Sequence, residues 1–552
     1  MSAGDTHDTL RTWRVADVRR ELGEPESVVA ERACEALGVT PTNAADVEVV
    51  KRSVDARGRR APRFVHHVDV TLPSDAPVEA GGRVHPAPAT YDALPTRVAA
   101  GAARPVVVGL GPCGLFAALH LALAGMPPIV LDRGKPVEPR AKDVAALMGR
   151  GQINPESNLC FGEGGAGTWS DGKLYTRVGG KLLRPVLQSL VDMGAPSRIL
   201  TDARPHLGTD KLVALLKAFR AHLIDLGCDL RFDTAMDDLV LDDQRVTGVR
   251  LRGGEVLPAT HVVLAAGHSA RDLYRTLAHQ GVPMTPKGFA VGYRLEHPQT
   301  LINQIQYGQW ASNDELPAAY YEVAKQVGNG PKKRGVYSFC MCPGGSVVPT
   351  PTLEGEVCVN GMSHAARSGR YANSAVVVTV TPEDVAPYAL SDDPVDRLLA
   401  GVTFQRVAER EAWERGGGAF VAPAQRLVDY LGNTPSTDIR RTTYKRGVQA
   451  ADLHGCYPSW VGESLQTGVA AFEKGAPGYV SEDAVLIGVE TRTSAPVTIT
   501  RDRLSLQSTG IAGLFPAGEG SGYGGGIASA AIDGIRVAHQ IAASVAASSC
   551  TP

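Results

Sequence analysis

The chain has 552 residues, too many for one ordinary hydrophobic core, so we expect two or three packed units with room to bury a large cofactor. The formal net charge of −2 argues against a protein whose main task is to bind nucleic acid or an acidic membrane surface. The nine cysteines are scattered and the first ten residues show no secretory start, which predicts a reducing, cytoplasmic location without a disulfide framework.

Residues 1–85 are predicted to form a small α+β domain. We expect a strand over 10–15, a helix over 27–37, and strands over 47–54 and 64–72, where β-branched or alternating apolar residues are typical of half-buried strands. The stretch 73–103 is rich in Pro, Ala and Gly and is interpreted as a linker or surface strap.

A dinucleotide-binding pattern begins at Val106. Gly109 permits a tight turn, Gly111 lets the backbone approach a pyrophosphate, and Gly114 lets the following helix pack closely on its strand. The helix, which begins around Pro112 and Cys113, offers free N–H groups to a phosphate. Asp132 stands about 20 residues further on, where an acid can hold a ribose hydroxyl. The pattern predicts dinucleotide binding but does not separate FAD from NAD.

The apolar stretch 106–131 is long enough to cross a bilayer, but its glycines and prolines divide it into a strand, a helix and a strand. Strands at 106–110, 129–132 and 261–265 predict a right-handed parallel sheet covered on both faces. Nucleotide-site features return only after residue 488, so we expect a cofactor domain in two pieces, 100–285 and 481–552. Residues 286–480 are then an inserted mixed α+β substrate domain, with a strand at 376–380 and helix at 394–413.

A second glycine-rich segment, 161–175, combines glycines with hydroxyl, acid and amine groups. Such a loop can wrap a cofactor and leave a cationic group beside it, and the alternative is a loop that faces solvent. The residues expected to contact the cofactor are Gly165, Thr168, Ser170, Asp171, Gly172 and Lys173.

Two cysteines in the inserted domain, Cys340 and Cys342, suggest either a redox pair or metal ligands. No second Cys/His pair at metal-binding spacing accompanies them, so no metal site is expected, and two apolar thiols on a buried strand are the favoured interpretation. The candidate proton-handling side chains in this region have no distinctive spacing and are expected to be structural: His297, His364, Tyr293 and Tyr337.

The C-terminal segment 513–527 is a short strand that meets a glycine cluster and opens a helix. Glu519 is placed to accept hydrogen bonds from sugar-like hydroxyls. Tyr523 is the preferred catalytic candidate because it lies inside this cluster. Glu490 and Arg492 are further candidates, although they could equally form a solvated charge pair. The other expected cofactor contacts here are Gly518, Gly525, Gly526 and Ile527.

This closing segment resembles the FAD motif of the glutathione-reductase-like flavoproteins, in which an acid, usually an aspartate, contacts the ribityl chain. The run 261–267, with Ala266 and Gly267, resembles the strand and turn that those proteins place beside the dinucleotide. Arg133 and Arg140 resemble their segment after the second strand. With the segments 53–57, 338–345, 360–363 and 488–496, the chain resembles a family of FAD-dependent dehydrogenases. The resemblance implies FAD as the cofactor, places Arg492 near it, and adds Met236 to the expected contacts.

The predicted function is an FAD-dependent oxidoreductase that transfers a hydride between flavin N5 and a small organic molecule, with Lys173, Glu490, Arg492 and Tyr523 as catalytic candidates. No second nicotinamide motif is visible, so NADPH or NADH would act as a transient electron donor. The first alternative is a flavin monooxygenase, because 267–271 resembles part of the aromatic hydroxylase signature. The second is a flavin-bound RNA-modifying protein that would use the N-terminal cations Lys51, Arg52, Arg57, Arg59 and Arg60. The oligomeric state is left open.

Overall fold

A computed structural model describes residues 10–58, 60–89, 91, 93–99, 101–176, 180–330 and 333–549. The N-terminal unit is an antiparallel sheet of order β2-β3-β1-β4. Its last strand lies within the stretch predicted as a linker, because Val84 is buried in this unit's core and pairs with Val15. The elements are β1 (Leu10–Glu21), α1 (Ser27–Glu35), β2 (Asp46–Asp55), β3 (Arg63–Pro73) and β4 (Val84–Pro86).

The next part of the chain builds most of a parallel-sheet domain. Its short apolar strands confirm the predicted pattern of strand, helix and strand after residue 106. The elements are β5 (Val106–Val108), α2 (Pro112–Leu123), β6 (Ile129–Leu131), α3 (Val137–Arg150), α4 (Leu183–Asp192), α5 (Thr209–Asp225), β7 (Asp229–Arg231), β8 (Met236–Asp242), β9 (Arg245–Leu251), β10 (Val256–Pro258), β11 (Val262–Leu264) and α6 (Arg271–His279).

The chain then forms a mixed region and returns to the parallel sheet near its C-terminus. The helix predicted over 394–413 is interrupted at Leu399 and continues to Gly416. The elements are β12 (Met284–Pro286), β13 (Phe289–Pro298), α7 (Gln299–Tyr307), β14 (Ala324–Val327), β15 (Arg334–Cys342), β16 (Ser346–Pro349), β17 (Val359–Met362), β18 (Tyr371–Val380), α8 (Pro382–Val385), α9 (Pro394–Leu398), α10 (Ala400–Gly416), β19 (Ala422–Arg426), α11 (Leu427–Leu431), β20 (Val448–Ala450), α12 (Ser459–Phe472), β21 (Val485–Glu490), β22 (Val497–Ile499), β23 (Leu514–Pro516) and α13 (Ile527–Ser549).

The five-stranded sheet has the order β23-β11-β5-β6-β7, and every neighbouring pair is parallel. Strands such as β5 are buried on both faces, as expected for the apolar runs of a parallel sheet. Helices α2, α5 and α13 contribute to the core on one face. The antiparallel strands β8–β10 and helix α6 contribute to the core on the other face.

A seven-stranded sheet of order β14-β15-β18-β13-β21-β19-β20 forms the second large core. It is antiparallel apart from the pair β19 and β20. Strand β21 hydrogen-bonds to both β13 and β19, although the sequence analysis assigned its residues to the second piece of the cofactor domain. The boundary that we proposed at residue 480 accordingly moves beyond Glu490.

Candidate functional site

The turn between β5 and α2 contains glycines, so no side chains cover its backbone there. Gly109 has a φ of +99°, and a Cβ there would lie 2.4 Å from the carbonyl oxygen of Ala265. A Cβ on Gly114 would lie 1.8 Å from the carbonyl oxygen of Gly109, so the helix packs directly on the turn. A Cβ on Gly111, in contrast, would meet nothing nearer than the Cα of Gly165, at 3.9 Å. The open side of Gly111 therefore faces a cleft and not the protein core.

Asp132 holds the two loops that border this cleft. One carboxylate oxygen accepts a hydrogen bond from the backbone N–H of Leu110, and the other accepts one from the N–H of Gly134, both at 2.9 Å. Burial raises the pKa of Asp132, and these two hydrogen bonds oppose the shift. Asp132 thus fixes the backbone of the glycine turn, and it also lines the cleft.

The cleft encloses about 360 Å³, within the range of about 300–1,000 Å³ that is typical of ligand and cofactor sites. The structure brings together on its walls most of the residues that the sequence analysis assigned to cofactor binding. These are Gly109, Gly111, Pro112, Cys113, Asp132, Arg133, Gly165, Ser170, Asp171, Gly172, Lys173, Met236, Ala266, Gly267, Glu519, Gly525, Gly526 and Ile527.

Four of the assigned residues lie behind the wall of the cleft: Gly114, Arg140, Thr168 and Gly518. The Arg140 guanidinium is fully buried and donates to the carbonyl oxygens of Asn158, Glu163 and Gly165. A buried charge needs such partners, and here they hold the glycine-rich loop in shape. Thr168 also bonds to Glu163. Arg140 and Thr168 are therefore supports of the loop.

The glycine-rich loop ends in an acid and an amine. Asp171 accepts hydrogen bonds from Ser363 and from Arg367, and its carboxylate lies 3.6 Å from the Lys173 nitrogen. Burial acts to raise the pKa of Asp171, but Lys173 and Arg367 outweigh it and lower that pKa to about 2. Lys173 therefore brings a fixed positive charge to the cleft, as the sequence predicts.

The two cysteines of β15 do not lie on a regular strand. Cys340 has a φ of +48°, and the pairing of β15 with β18 shifts register between Phe339 and Cys342, which marks a β-bulge. The Cys340 side chain lines the cleft, and the Lys173 nitrogen lies 3.6 Å from its sulfur and 3.9 Å from that of Cys342. Both thiols are free and lie on β15, as expected, but their surroundings are not apolar, because a charged amine contacts both.

Glu490 and Arg492 do not form a pair, and neither is solvated. Arg492 lines the cleft and makes a two-point ion pair with Glu409 of α10, with nitrogen–oxygen distances of 2.9 and 2.7 Å. Glu490 lies away from the cleft wall and pairs with Arg294 at 2.8 Å. Burial raises the pKa of Glu490 to about 7 in spite of that arginine.

Tyr523 is also placed away from the cleft wall. Its hydroxyl donates to the carbonyl oxygen of Ile499 and accepts from the backbone N–H of Arg501, both at 3.0 Å. The Arg501 guanidinium stacks on its ring at 3.7 Å. The glycine cluster bends after residue 519, so nearness along the chain does not bring Tyr523 to the cleft. It ties the cluster to β22.

Two further titratable side chains, those of Glu519 and His268, line the cleft. Burial raises the pKa of Glu519 to about 7, opposed by the charge of Lys287. Burial lowers the pKa of His268 to about 4, and Arg492 and Arg271 act in the same direction. His268 lies within the run 267–271 that resembles part of the aromatic hydroxylase signature. Arg271 of that run is paired with Glu409 at 2.8 Å.

Other residues of the cleft wall were missed as site residues, among them Phe339, Cys340 and Asn360. Their segments, 338–345 and 360–363, were already part of the family resemblance, which was the available signal. In the N-terminal unit, Arg57 pairs with Asp55 and Arg52 stacks on Phe64. Arg59 lies outside the described residues. None of the helices within the described ranges combines the length and apolar character of a bilayer span.

Residues 288–493 match the family model described as "FAD-dependent protein, C-terminal domain-like". Residues 14–71 match a domain of unknown function. A protein of Clostridium beijerinckii is 39% identical over 536 residues, which cover 96% of this chain and 98% of the relative. The match to that relative therefore includes both the glycine-rich segments and the seven-stranded sheet.

Solved structures with a similar course of the chain include flavoproteins. An open conformation of a flavocytochrome c3 fumarate reductase is 14% identical, with a TM-score of 0.35, and the match covers 81% of this chain and 78% of that one. CtdE in complex with FAD is 11% identical, with a TM-score of 0.30 and coverage of 80% and 87%. At these TM-scores the likeness carries no argument about chemistry.

Proposed function

We propose that this chain, which belongs to the family of FAD-dependent proteins that share this C-terminal-like domain, is an oxidoreductase acting on a small organic molecule in the cleft. One observation carries the proposal. Three glycine-rich segments, from three distant parts of the chain, converge on one cleft that also holds an amine, a carboxyl group and a guanidinium. Bound FAD would supply hydride transfer at its N5 atom.

The glycines of the cleft fit a dinucleotide. A Cβ on Gly267, Gly525 or Gly526 would meet no protein atom within 4 Å, so the absence of a side chain at these positions keeps space free for a ligand. Gly111 precedes α2 without a side-chain cap, which leaves the first N–H groups of that helix for a phosphate. Met236 and Ile527 add apolar surface to the same cleft.

The polar groups of the cleft have separate tasks in this proposal. Lys173 places positive charge against the ligand, and Arg492 adds a second charge that Glu409 holds in position. The Glu519 carboxyl, whose pKa is raised to about 7, can hold or release a proton near neutral pH. His268 stays neutral there, because its pKa is lowered to about 4. Glu519 is therefore our candidate for the proton that accompanies the hydride.

Titration of the purified protein with FAD, followed by flavin fluorescence, tests the binding site. We expect saturable binding at one site per chain. Anaerobic mixing with NADH, NADPH and candidate organic donors then tests the reaction, and we expect loss of the oxidised-flavin absorbance with at least one donor. A folded protein that shows no saturable uptake of FAD would refute the proposal. Oxygen from O₂ in the product would instead assign the protein to the monooxygenases.

A further inference from the structure

A cluster of one amine and two thiols lies at the edge of the cleft, and the function proposed above uses only its amine. Lys173 comes from the glycine-rich loop, whereas Cys340 and Cys342 come from β15 in the other sheet. The Lys173 nitrogen lies 3.6 Å from one sulfur and 3.9 Å from the other. Cys340 faces the cleft, and Cys342 is completely buried behind it.

The backbone at Cys340 is shaped to bring the sulfurs together. A non-glycine residue at a φ of +48° is uncommon, and such outliers concentrate at functional sites. The bulge holds this conformation because Arg294 donates to the Cys340 carbonyl oxygen at 2.9 Å. The Cys342 thiol lies 3.3 Å from that oxygen. Both sulfurs are thus held within 4 Å of the same Lys173 nitrogen.

The charges around the cluster favour a thiolate at Cys340. The hydrogen bond from Cys342 lowers the pKa of Cys340 well below its usual value; burial opposes this, and Lys173 and Arg294 add to the lowering. The same hydrogen bond raises the pKa of Cys342. Asp171 raises the pKa of Cys340, and the other titratable groups that interact electrostatically with the cluster include Tyr175, Tyr321, Glu490 and Glu519. Cys340 therefore ionises at a lower pH than Cys342.

The buried amine of Lys173 also argues against a role for the two thiols in core packing alone. Burying an ammonium group is costly unless negative or polarisable partners surround it. Burial acts to lower the pKa of Lys173, but Cys340, Cys342 and Asp171 outweigh it and raise that pKa. The partners that keep Lys173 charged are thus the two sulfurs together with one carboxylate.

We propose that Cys340 and Cys342 form a dithiol centre that exchanges two electrons with the flavin in the same cleft. In this step the S–H bond of Cys342 breaks and one S–S bond forms between the Cys340 thiolate and Cys342. Two electrons pass to oxidised FAD, which would take up two protons, one from the Cys342 thiol and one from solvent, to give FADH₂. The external partner is a small organic thiol or disulfide that exchanges with Cys340, the sulfur facing the cleft. The proposal rests on the proposed function only for the presence of FAD.

The first experiment uses the full chain without added FAD and measures how fast iodoacetamide alkylates Cys340, by mass spectrometry across a pH series. We expect the alkylation rate to reach half of its maximum at a pH well below the pKa of an ordinary cysteine thiol, which is about 8.5. Lys173→Met should move the profile up by about one pH unit or more, since a neighbouring cation favours the thiolate. Cys34→Ala, in the N-terminal unit, is the matched control and should leave the profile in place. An ordinary profile in the wild type would overturn the proposal.

The second experiment equilibrates the protein with mixtures of reduced and oxidised dithiothreitol, then counts free thiols at residues 340 and 342. We expect both to disappear together as a disulfide, and Cys342→Ser to abolish this. With FAD bound and oxygen excluded, disulfide formation should bleach the flavin mole for mole. A disulfide that forms in a protein unable to bind FAD would overturn the proposed function and leave the dithiol intact. Bound FAD beside thiols that never pair would overturn the dithiol alone.

Discussion

Gly111 and Gly165 lie against each other at the floor of the cleft, although 54 positions along the sequence separate them: the Cα of Gly165 stands 3.9 Å from where a Cβ on Gly111 would lie. Gly111 directly precedes helix α2, and Gly165 lies within the loop that Arg140 supports. The contact joins the dinucleotide turn to the glycine-rich loop. It also allows a small side chain to be added at Gly111 without disturbing the fold.

Replacing Gly111 with alanine should weaken FAD binding while the protein remains folded. The added methyl group has room in the free protein, but it occupies the space that a pyrophosphate needs to approach the backbone. We expect the Kd for FAD to rise at least about tenfold, or ~1.4 kcal/mol, with the Tm within about 2 °C of wild type. Fluorescence titration and thermal melting measure the two.

Gly149→Ala is the matched control for this variant. Gly149 is exposed on α3, and a Cβ there meets nothing within 4 Å. Its FAD affinity should equal that of the wild type. An unchanged affinity in Gly111→Ala would show that the cofactor does not approach this turn.

Replacing Glu409 with glutamine should destabilise the protein strongly. Glu409 is completely buried and is the two-point partner of Arg492 as well as a partner of Arg271. The guanidinium groups would lose the charge that compensates them, and removal of one partner from a buried ion pair costs about 3–5 kcal/mol. Urea unfolding monitored by circular dichroism measures the loss.

Glu411→Gln, on the same helix, is the comparison for that loss. Its side chain is 42% exposed and lies 3.6 Å from Arg415. An exposed pair of this kind contributes about 1 kcal/mol or less to the free energy of unfolding. Equal losses in the two variants would contradict the role we give to Glu409.

The stability of the protein below pH ~4 should depend on Asp171. Its pKa of about 2 in the folded chain is lower than the value of about 4 for an unfolded aspartate. The folded protein therefore keeps this charge at a pH where the unfolded chain has gained a proton. The contribution is complete above pH ~4 and is lost as the pH falls toward 2, about 2 kcal/mol in total.

Asp171→Asn should flatten the decrease in unfolding free energy over that range, measured by urea titrations at several pH values. Asp225→Asn makes the same change in charge at an exposed position on α5 and should follow the wild-type curve. Parallel curves for wild type and Asp171→Asn would rule out a lowered pKa at Asp171.

Tyr523→Phe should leave FAD binding intact. Among the residues that the structure describes, the hydroxyl bonds only to the backbone at Ile499 and Arg501, so its removal should cost about 1 kcal/mol of stability. We expect the Kd for FAD and the rate of flavin reduction by any active donor to stay within about twofold of wild type. A tenfold change in either quantity would return Tyr523 to the list of catalytic candidates.

The sequence predicted those parts of the site that are formed by residues close to one another along the chain. The turn from β5 to α2, the acid at Asp132 and the loop ending in Lys173 are local patterns, and each occupies the cleft wall. Glycine is required at Gly114 by its contact with Gly109, five positions earlier, and it is favoured at Gly109 by a φ of +99°. Such requirements leave a direct trace in the sequence.

The interaction partners of several candidate residues could not be predicted from their positions in the sequence. Glu490 and Arg492 are two residues apart, yet they pair with Arg294 and Glu409, which belong to other elements. Cys340 was interpreted as part of a regular strand, because neither a bulge nor a positive φ is visible in its sequence. Tyr523 was expected at the cleft because it lies inside the glycine cluster, but it binds β22.

The amino-acid sequence alone determined the parallel-sheet unit, the three glycine-rich segments and the need for a dinucleotide-sized space, because backbone sterics and apolar periodicity act over a few neighbouring residues. Only the tertiary structure decided which charges meet and which thiols contact Lys173. Those outcomes depend on contacts between elements that are distant along the chain, such as the loop at Lys173 with β15 and helix α6 with α10. Burial makes every unpaired charge at such contacts costly.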